Sequence, residues 1–318
     1  MSGGRNWSAP TAVTGALGEL RARNRVLFSV AMGNLALAVL FTGLMALDGR
    51  TLLGRNVWTK PWKFATSIAI FTATMGWLLP SLSLTDRVER LATYTIGGAM
   101  TVEIVLISAQ AARGVASHFN TDTALDSTVF VIMGVAITLS SVAVAYVLWR
   151  VVRDPPPLAP AYRWGIVLGM FLFVVVSFEG WLMVSQGGHG VGAPSDSQGL
   201  PLVNWSLTGG DLRLAHFIGL HSLQVLPLTG YYASRWAGGS RRWSLGVVGA
   251  VGTLYLLLTG LTFVQALRGT PLVGPGTVPD LPPSGVAAVL LLATGCVAVV
   301  LALVWGRQHP EATPPSSE

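Results

Sequence analysis

The chain has 318 residues, of which 52% are hydrophobic and only 11% charged, far below the roughly 25% charged share of soluble globular domains. A soluble fold is therefore excluded. The net charge of +6 comes from arginines scattered among connecting segments, which argues against a nucleic-acid partner. The single cysteine, Cys296, excludes an internal disulfide, a Cys-x-x-Cys redox pair and a thiolate zinc cluster.

The N-terminal stretch "MSGGRNWSAPTAVTGALGEL" is polar and rich in Gly and Ser, and residues 1–25 are expected to be a disordered cytoplasmic end. It has no pattern of a removable signal peptide, so the first apolar helix is expected to direct insertion. Apolar stretches near the ~20 residues needed to cross a bilayer then fall at 26–47, 63–83, 91–112, 127–149, 163–184, 213–234, 243–267 and 284–305. The fold class is all-α, a polytopic integral membrane helical bundle of about eight transmembrane helices. One membrane domain over 26–306 is expected, with a disordered tail at 307–318 that is rich in Pro and Ser. His309 belongs to that tail and to no site.

Orientation follows from the basic residues, because cytoplasmic loops carry the excess of Lys and Arg. With the N-terminus inside, thirteen fall on the cytoplasmic side and seven outside. The expected location is the bacterial inner membrane, multi-pass, with both termini cytoplasmic. Four of the seven outer ones, Arg50, Arg55, Lys60 and Lys63, lie in one loop, "DGRTLLGRNVWTKPWK". A loop that departs from the rule in this way is either short and tolerated, or its cations face an anion: lipid headgroups, haem propionates or carboxylates of the same protein. Lys63 is expected at the rim of a site and Lys60 at headgroup level, with Trp58 and Trp62 at the interface and Pro61 at a helix start.

Ionisable groups inside spans are costly and become functional candidates. Glu103 falls near the midplane of the third span, ~15 Å from its outer end. Glu179 sits nearer the outer end of the fifth. Gln110 is seven residues beyond Glu103 and so on the same helical face, with Arg113 at the rim; the face continues into Ser117, His118 and Asn120. These residues form an expected polar stripe, or serve simply as packing contacts between helices.

The sixth span, "GGDLRLAHFIGLHSLQVLPLTGYY", carries the densest polar pattern. Asp211 is placed to cap its N-terminus, and Pro227 to kink it. His216 and His221 are five apart, so they point in different directions and do not chelate one metal as an i, i+4 pair does. Gln224 follows them. The outer loop 185–212, with His189, Asp196, Asn204 and Trp205, is long enough to be an ordered lid or a flexible connection.

Three strings, "KPWKFATSIAIF", "QAARGVASHFN" and "GLPLVNWSLTGGDLRLAHFIGLHSLQVLP", resemble a group of bacterial multi-pass membrane proteins of about this length to which no activity is attached. The resemblance spans the second to sixth helices and implies that the three strings belong together. It brings no cofactor and no catalytic residue. No Gly-x-Gly-x-x-Gly, Walker or nucleophile-elbow motif occurs, and no internal repeat stands out.

The residues thus suggest an outer-facing polar site in a membrane protein. Its expected parts are Glu103 and Glu179 as acid–base groups, with His118, His216 and His221 as ligands of haem or a transition metal. Lys63, Arg113, Gln110 and Gln224 would hold the cofactor, and the chemistry would be redox or metal-dependent. Two alternatives stand beside it: a proton-coupled transporter, and an enzyme modifying a lipid of the outer leaflet by Glu/His acid–base chemistry. Expected partners are membrane lipids and a small-molecule or lipid substrate.

Overall fold

The computed structural model describes residues 9–194, 199–200, 203–236 and 240–272. The eighth expected span, Cys296 and Asp196 lie outside them. The described chain is all-α with two minimal hairpins. Its elements are α1 (Ala9–Arg23), α2 (Arg25–Leu47), β1 (Thr51–Leu52), β2 (Arg55–Asn56), α3 (Thr59–Leu78), α4 (Asp86–Arg113), α5 (Ala124–Arg153), α6 (Pro160–Ser185), β3 (Gly190–Val191), β4 (Gly210–Asp211), α7 (Leu212–Leu220), α8 (Ser222–Trp236) and α9 (Arg241–Leu267). Six of them, α2, α3 extended to Ser81, α4, α5, α6 and α9, are long and apolar enough to cross a membrane. Their surfaces agree with a lipid solvent. On α5, Val131, Val135, Leu139 and Val142 form an exposed apolar stripe at helical spacing, and α4 likewise exposes Leu91, Val102 and Val105.

Two features bear on the organisation of the described chain. Residues Ala9–Arg23 are helical, where composition suggested an unordered end; Leu20 is buried, with its Cδ1 close to Gly76 of α3, and Arg23 donates to Ser81 Oγ at 2.9 Å and lies over the Trp77 ring, so both ties hold the helix. The chain also divides into two compact units at Pro156/Pro157. The break falls in "RDPPPLAP", where consecutive prolines can neither continue a helix nor donate backbone hydrogen bonds.

In the first unit α2 packs along α3, α3 meets α4, and α4 lies along α5. The helix starts are fixed by side chains that satisfy free backbone N–H groups. The Asn24 carbonyl accepts from Leu27 N at 3.0 Å while its amide donates to Thr93 Oγ1 of α4 at 2.8 Å. Thr123 Oγ1 accepts from Asp126 N at 3.1 Å. Gly114 ends α4 in the left-handed conformation, φ 74°, which glycine adopts without the steric cost of a Cβ.

In the second unit α6 packs along α8, and α9 meets α7 and α8. Helices α6 and α8 approach so closely that a Cβ on Gly165 would overlap Leu226 O, and one on Gly230 would overlap Ala161 O; small residues at such a contact let two backbones meet in a membrane. The sixth expected span is not one helix. It breaks at His221 between α7 and α8, while Pro227, the expected kink, lies inside α8. Two hydrogen bonds take up the polar groups of the break: Tyr255 Oη donates to Ile218 O at 2.8 Å, and Ser222 Oγ donates to Gly169 O at 2.9 Å. Those partners sit on α9 and α6, beyond the reach of any local reading of the span.

Candidate functional site

The expected site residues divide between the two units. Lys63, Glu103, Gln110, Arg113 and His118 belong to the first; Glu179, His189, His216, His221 and Gln224 belong to the second.

In the first unit, Glu103 is 4% exposed in the middle of α4. No group among the described residues hydrogen-bonds its carboxylate. The Lys60 ammonium, from the first turn of α3, interacts electrostatically with Glu103 and also with His118, and it lies 6.0 Å from the Phe64 ring centroid. Lys60 is therefore a member of this cluster, where the sequence reading assigned it to the headgroups. Lys63 is half-buried one turn further along α3. His118 sits among Phe64, Phe119 and Phe130, with ring centroids at 5.4, 6.3 and 6.1 Å, and its Nδ1 is 3.1 Å from Ser117 Oγ. Desolvation in this aromatic surround, reinforced by Lys60, pulls the imidazole well below its ordinary value. It is neutral at pH 7.

Gln110 and Arg113 do not join Glu103. They converge on Asp126, a buried acid at the start of α5 that the sequence reading missed. Gln110 Nε2 donates to Asp126 Oδ1 at 2.8 Å, Arg113 Nη1 to the same oxygen at 2.7 Å, and Thr123 Oγ1 to Oδ2 at 2.6 Å. Arg113 also donates to Gln110 Oε1. The sequence signal was the Thr-x-x-Asp pattern at the helix start, a capping arrangement. The outer-loop cations have a comparable explanation. Arg50 Nη2 lies 2.7 Å from Asp48 Oδ2, and Trp58 Nε1 donates to the same oxygen at 2.8 Å. The Arg50 guanidinium, the Trp58 indole and the Arg50 backbone N–H hold the Asp48 carboxyl well below the usual carboxylate range. Carboxylates of the same protein face Arg50 and Lys60.

In the second unit, His216 Nδ1 lies 2.8 Å from Glu179 Oε2, while Glu179 Oε1 is buried with no partner among the described residues. Residue 180 is glycine, and a Cβ there would sit 3.3 Å from the His216 ring. His221 serves a different partner: its Nδ1 is 3.2 Å from Gln224 Oε1, and its ring meets Phe217 edge-on at 4.4 Å. The described part of loop 185–212 is tied to the start of α7. Strands β3 and β4 pair antiparallel, Leu212 N donates to His189 O at 3.0 Å, Arg213 donates to Asn204 O, and Trp205 packs edge-on against Phe217. Asp211 caps α7, accepting from Arg213 N at 3.1 Å. Burial raises its carboxyl, but Arg213 and His189 outweigh that and hold it well below the ordinary range.

His, Cys, Asp and Glu side chains meet here as pairs, Glu179 with His216 and Asp211 with His189. Among the described residues no group of three or more forms that could hold a metal ion. His118 has aromatic rings and a serine around it, and His221 a glutamine, so neither has a second described ligand beside it. No protein-family model, curated protein or solved structure is similar enough to this chain to lend it a family or an activity.

Proposed function

We propose that this is a multi-pass protein of the bacterial inner membrane that moves protons as part of a coupled transport cycle, with Glu103 as the protonatable group. One observation carries the reading: a glutamate 4% exposed in a membrane-length helix, with no hydrogen-bond donor among the described residues and a lysine acting on it across a helix contact. Ionisable groups at such depth mark ion pathways and proton relays. A carboxylate that were purely structural would have donors to hold its charge, as Asp126 has in the same unit. Lys60 acts on Glu103 and on neutral His118 alike, so a proton arriving at either changes the balance around the lysine. The reading is tested with protein reconstituted in liposomes that trap a pH-sensitive dye, under an imposed membrane potential. Proton entry faster than in empty liposomes, reduced about tenfold or more in Glu103→Gln, is the expected result. Wild-type flux equal to that of empty liposomes sinks the reading.

The Glu179–His216 pair favours a second reading, acid–base chemistry on an amphipathic substrate. A carboxylate on Nδ1 orients the ring and leaves Nε2 as a base. Proton flux unaffected by Glu103→Gln, together with loss of turnover of a lipid substrate in His216→Gln, would move the function to this pair. The metal or haem reading gains no support from the described residues, since it needs donors that they do not bring together.

A further inference from the structure

The second unit is strongly polarised in charge. Among its described residues the acids are Glu179 and Asp211, which lie where α6 ends and α7 begins. At the opposite end, where α6 and α9 start and α8 stops, stand Arg163, Arg235, Arg241 and Arg242. The sequence has no Asp or Glu over 155–178 or 212–279, so the segments that build this end supply no acid of their own. Neither α6 nor α9 has an acid in its first turn; each opens on arginine instead, although the N-terminus of a helix favours anions and repels cations.

Packing sets the heights of these residues. A Cβ on Gly230 of α8 would overlap Ala161 O of α6, and one on Gly252 of α9 would lie 3.2 Å from Leu168 Cδ1 of α6. Counted from those contacts at 1.5 Å per residue, the four arginine backbones fall within about 10 Å along the helix axes. Trp164, Tyr232 and Trp243, all exposed, lie in or next to the same layer, at the level where aromatic rings meet lipid headgroups. The Arg235 guanidinium is 4.8 Å from the Tyr231 ring centroid, and Tyr231 meets Tyr162 of α6 edge-on at 5.6 Å, so a cation–π contact holds this arginine beside the α6–α8 contact.

Helix α8 also turns one face outward. Val225, Leu228 and Tyr232 are exposed, as is Arg235, and their spacing of three, four and three residues keeps them on one side of a helix. The stripe runs from two aliphatic side chains to a phenol and then a guanidinium over ~15 Å, about half the hydrocarbon thickness of a bilayer. A phospholipid presents its acyl chain, its ester groups and its phosphate in the same order and over a similar length.

We infer that this end of the second unit binds an anionic phospholipid, with an acyl chain along Val225 and Leu228, the esters at Tyr232 and the phosphate among Arg235, Arg241 and Arg242. Guanidinium groups suit phosphate because they can donate two parallel hydrogen bonds to it. The phosphate also brings to the start of α9 the negative charge that its first turn lacks. A zwitterionic headgroup carries an ammonium to the same arginines and forfeits much of that gain, and a soluble phosphate has nothing to lay along the stripe. Membrane topology alone accounts for arginines at one end of a bundle, but it gives the purified protein no preference among headgroups.

That preference is the test. The full chain in detergent is titrated with dioleoyl phosphatidylglycerol, dioleoyl phosphatidylcholine or glycerol 3-phosphate while its unfolding temperature is followed. Wild type is expected to gain about 2–4 °C with phosphatidylglycerol and less than about 1 °C with either of the others. The gain is expected to vanish in Arg241→Gln/Arg242→Gln, to shrink in Arg235→Gln and to persist in Arg87→Gln/Arg90→Gln, which removes the same charge from the start of α4. Should the first double variant fail to accumulate, Arg235→Gln is set against Arg87→Gln, with retained phosphatidylglycerol counted by native mass spectrometry; fewer lipids on Arg235→Gln support the site. Equal gains with the two lipids, a gain with glycerol 3-phosphate as large as with phosphatidylglycerol, or equal responses of the variants compared overturn it.

Discussion

Nδ1 of His216 lies 2.8 Å from Oε2 of Glu179, a side-chain bond between α7 and α6 at a place where each partner is mostly buried. Removing the acid leaves the ring nitrogen without its partner at a largely buried contact between the two helices. Glu179→Ala is therefore expected to cost about 1–3 kcal/mol, whereas Glu179→Gln keeps a carbonyl acceptor for Nδ1–H and is expected to cost less than about 1 kcal/mol. Thermal unfolding of the two variants in one detergent checks the ordering. No loss in Glu179→Ala would mean that the bond contributes nothing to the packing of α6 against α7.

The α6–α8 contact gives a second prediction, because its glycines are where backbones touch. Gly165→Ala places a methyl against Leu226 O, and Gly230→Ala one against Ala161 O; neither carbonyl can move without its helix. Each is expected to destabilise by about 1–3 kcal/mol or more. Gly134→Ala in α5 has nothing within 4 Å of the new methyl and is expected to be neutral or stabilising by up to about 1 kcal/mol. Expression level and unfolding temperature of the three variants decide it.

What the sequence made legible was whatever depends on local periodicity and on caps. The six long spans begin and end within a few residues of their apolar runs, and Asp211 caps α7 as its place before the apolar run required. What stayed hidden depends on partners far along the chain. Nothing near His221 announces that Tyr255 and the Gly169 carbonyl will take up the polar groups of a broken helix. Lys60 and Lys63 look alike in sequence, and only the packing of α3 against α4 selects Lys60 to face Glu103. Gln110 and Arg113 were recognised as polar neighbours of Glu103 on one face, yet the acid they hold is Asp126, sixteen residues beyond Gln110.

His118 gives a pH prediction whose sign follows from its surround. The folded imidazole is pulled below its ordinary value, so the unfolded ring takes up a proton first. Its contribution is complete above the unfolded pKa of about 6.5 and is lost as pH falls below that, at up to about 1.4 kcal/mol per pH unit. Asp48 and Asp211, both held low, lose their contributions only in the acid range below about 4. Between pH 7.5 and 5.5 the unfolding temperature of wild type is therefore expected to fall more than that of His118→Phe, which keeps the ring contacts and removes the titration. Identical pH profiles for the two proteins would show that His118 is as free to protonate when folded as when unfolded.

Glu103 sets function against stability. It is buried in a membrane-length helix whose other buried positions include Ile96, Met100, Ile104 and Ile107, so an acid stands where apolar side chains pack. A buried carboxylate with no hydrogen-bond donor loses hydration that Lys60 restores only in part. Glu103→Leu is expected to raise the unfolding free energy by about 1–3 kcal/mol and to abolish proton flux, while Glu103→Gln keeps the polar volume and loses flux with a smaller change in stability. The pairing of outcomes is what matters: a site kept for chemistry is one where the apolar substitution is more stable and inactive. If Glu103→Leu unfolds at a lower temperature than wild type, the acid is a packing partner of Lys60, and the proton pathway must be sought elsewhere in the chain.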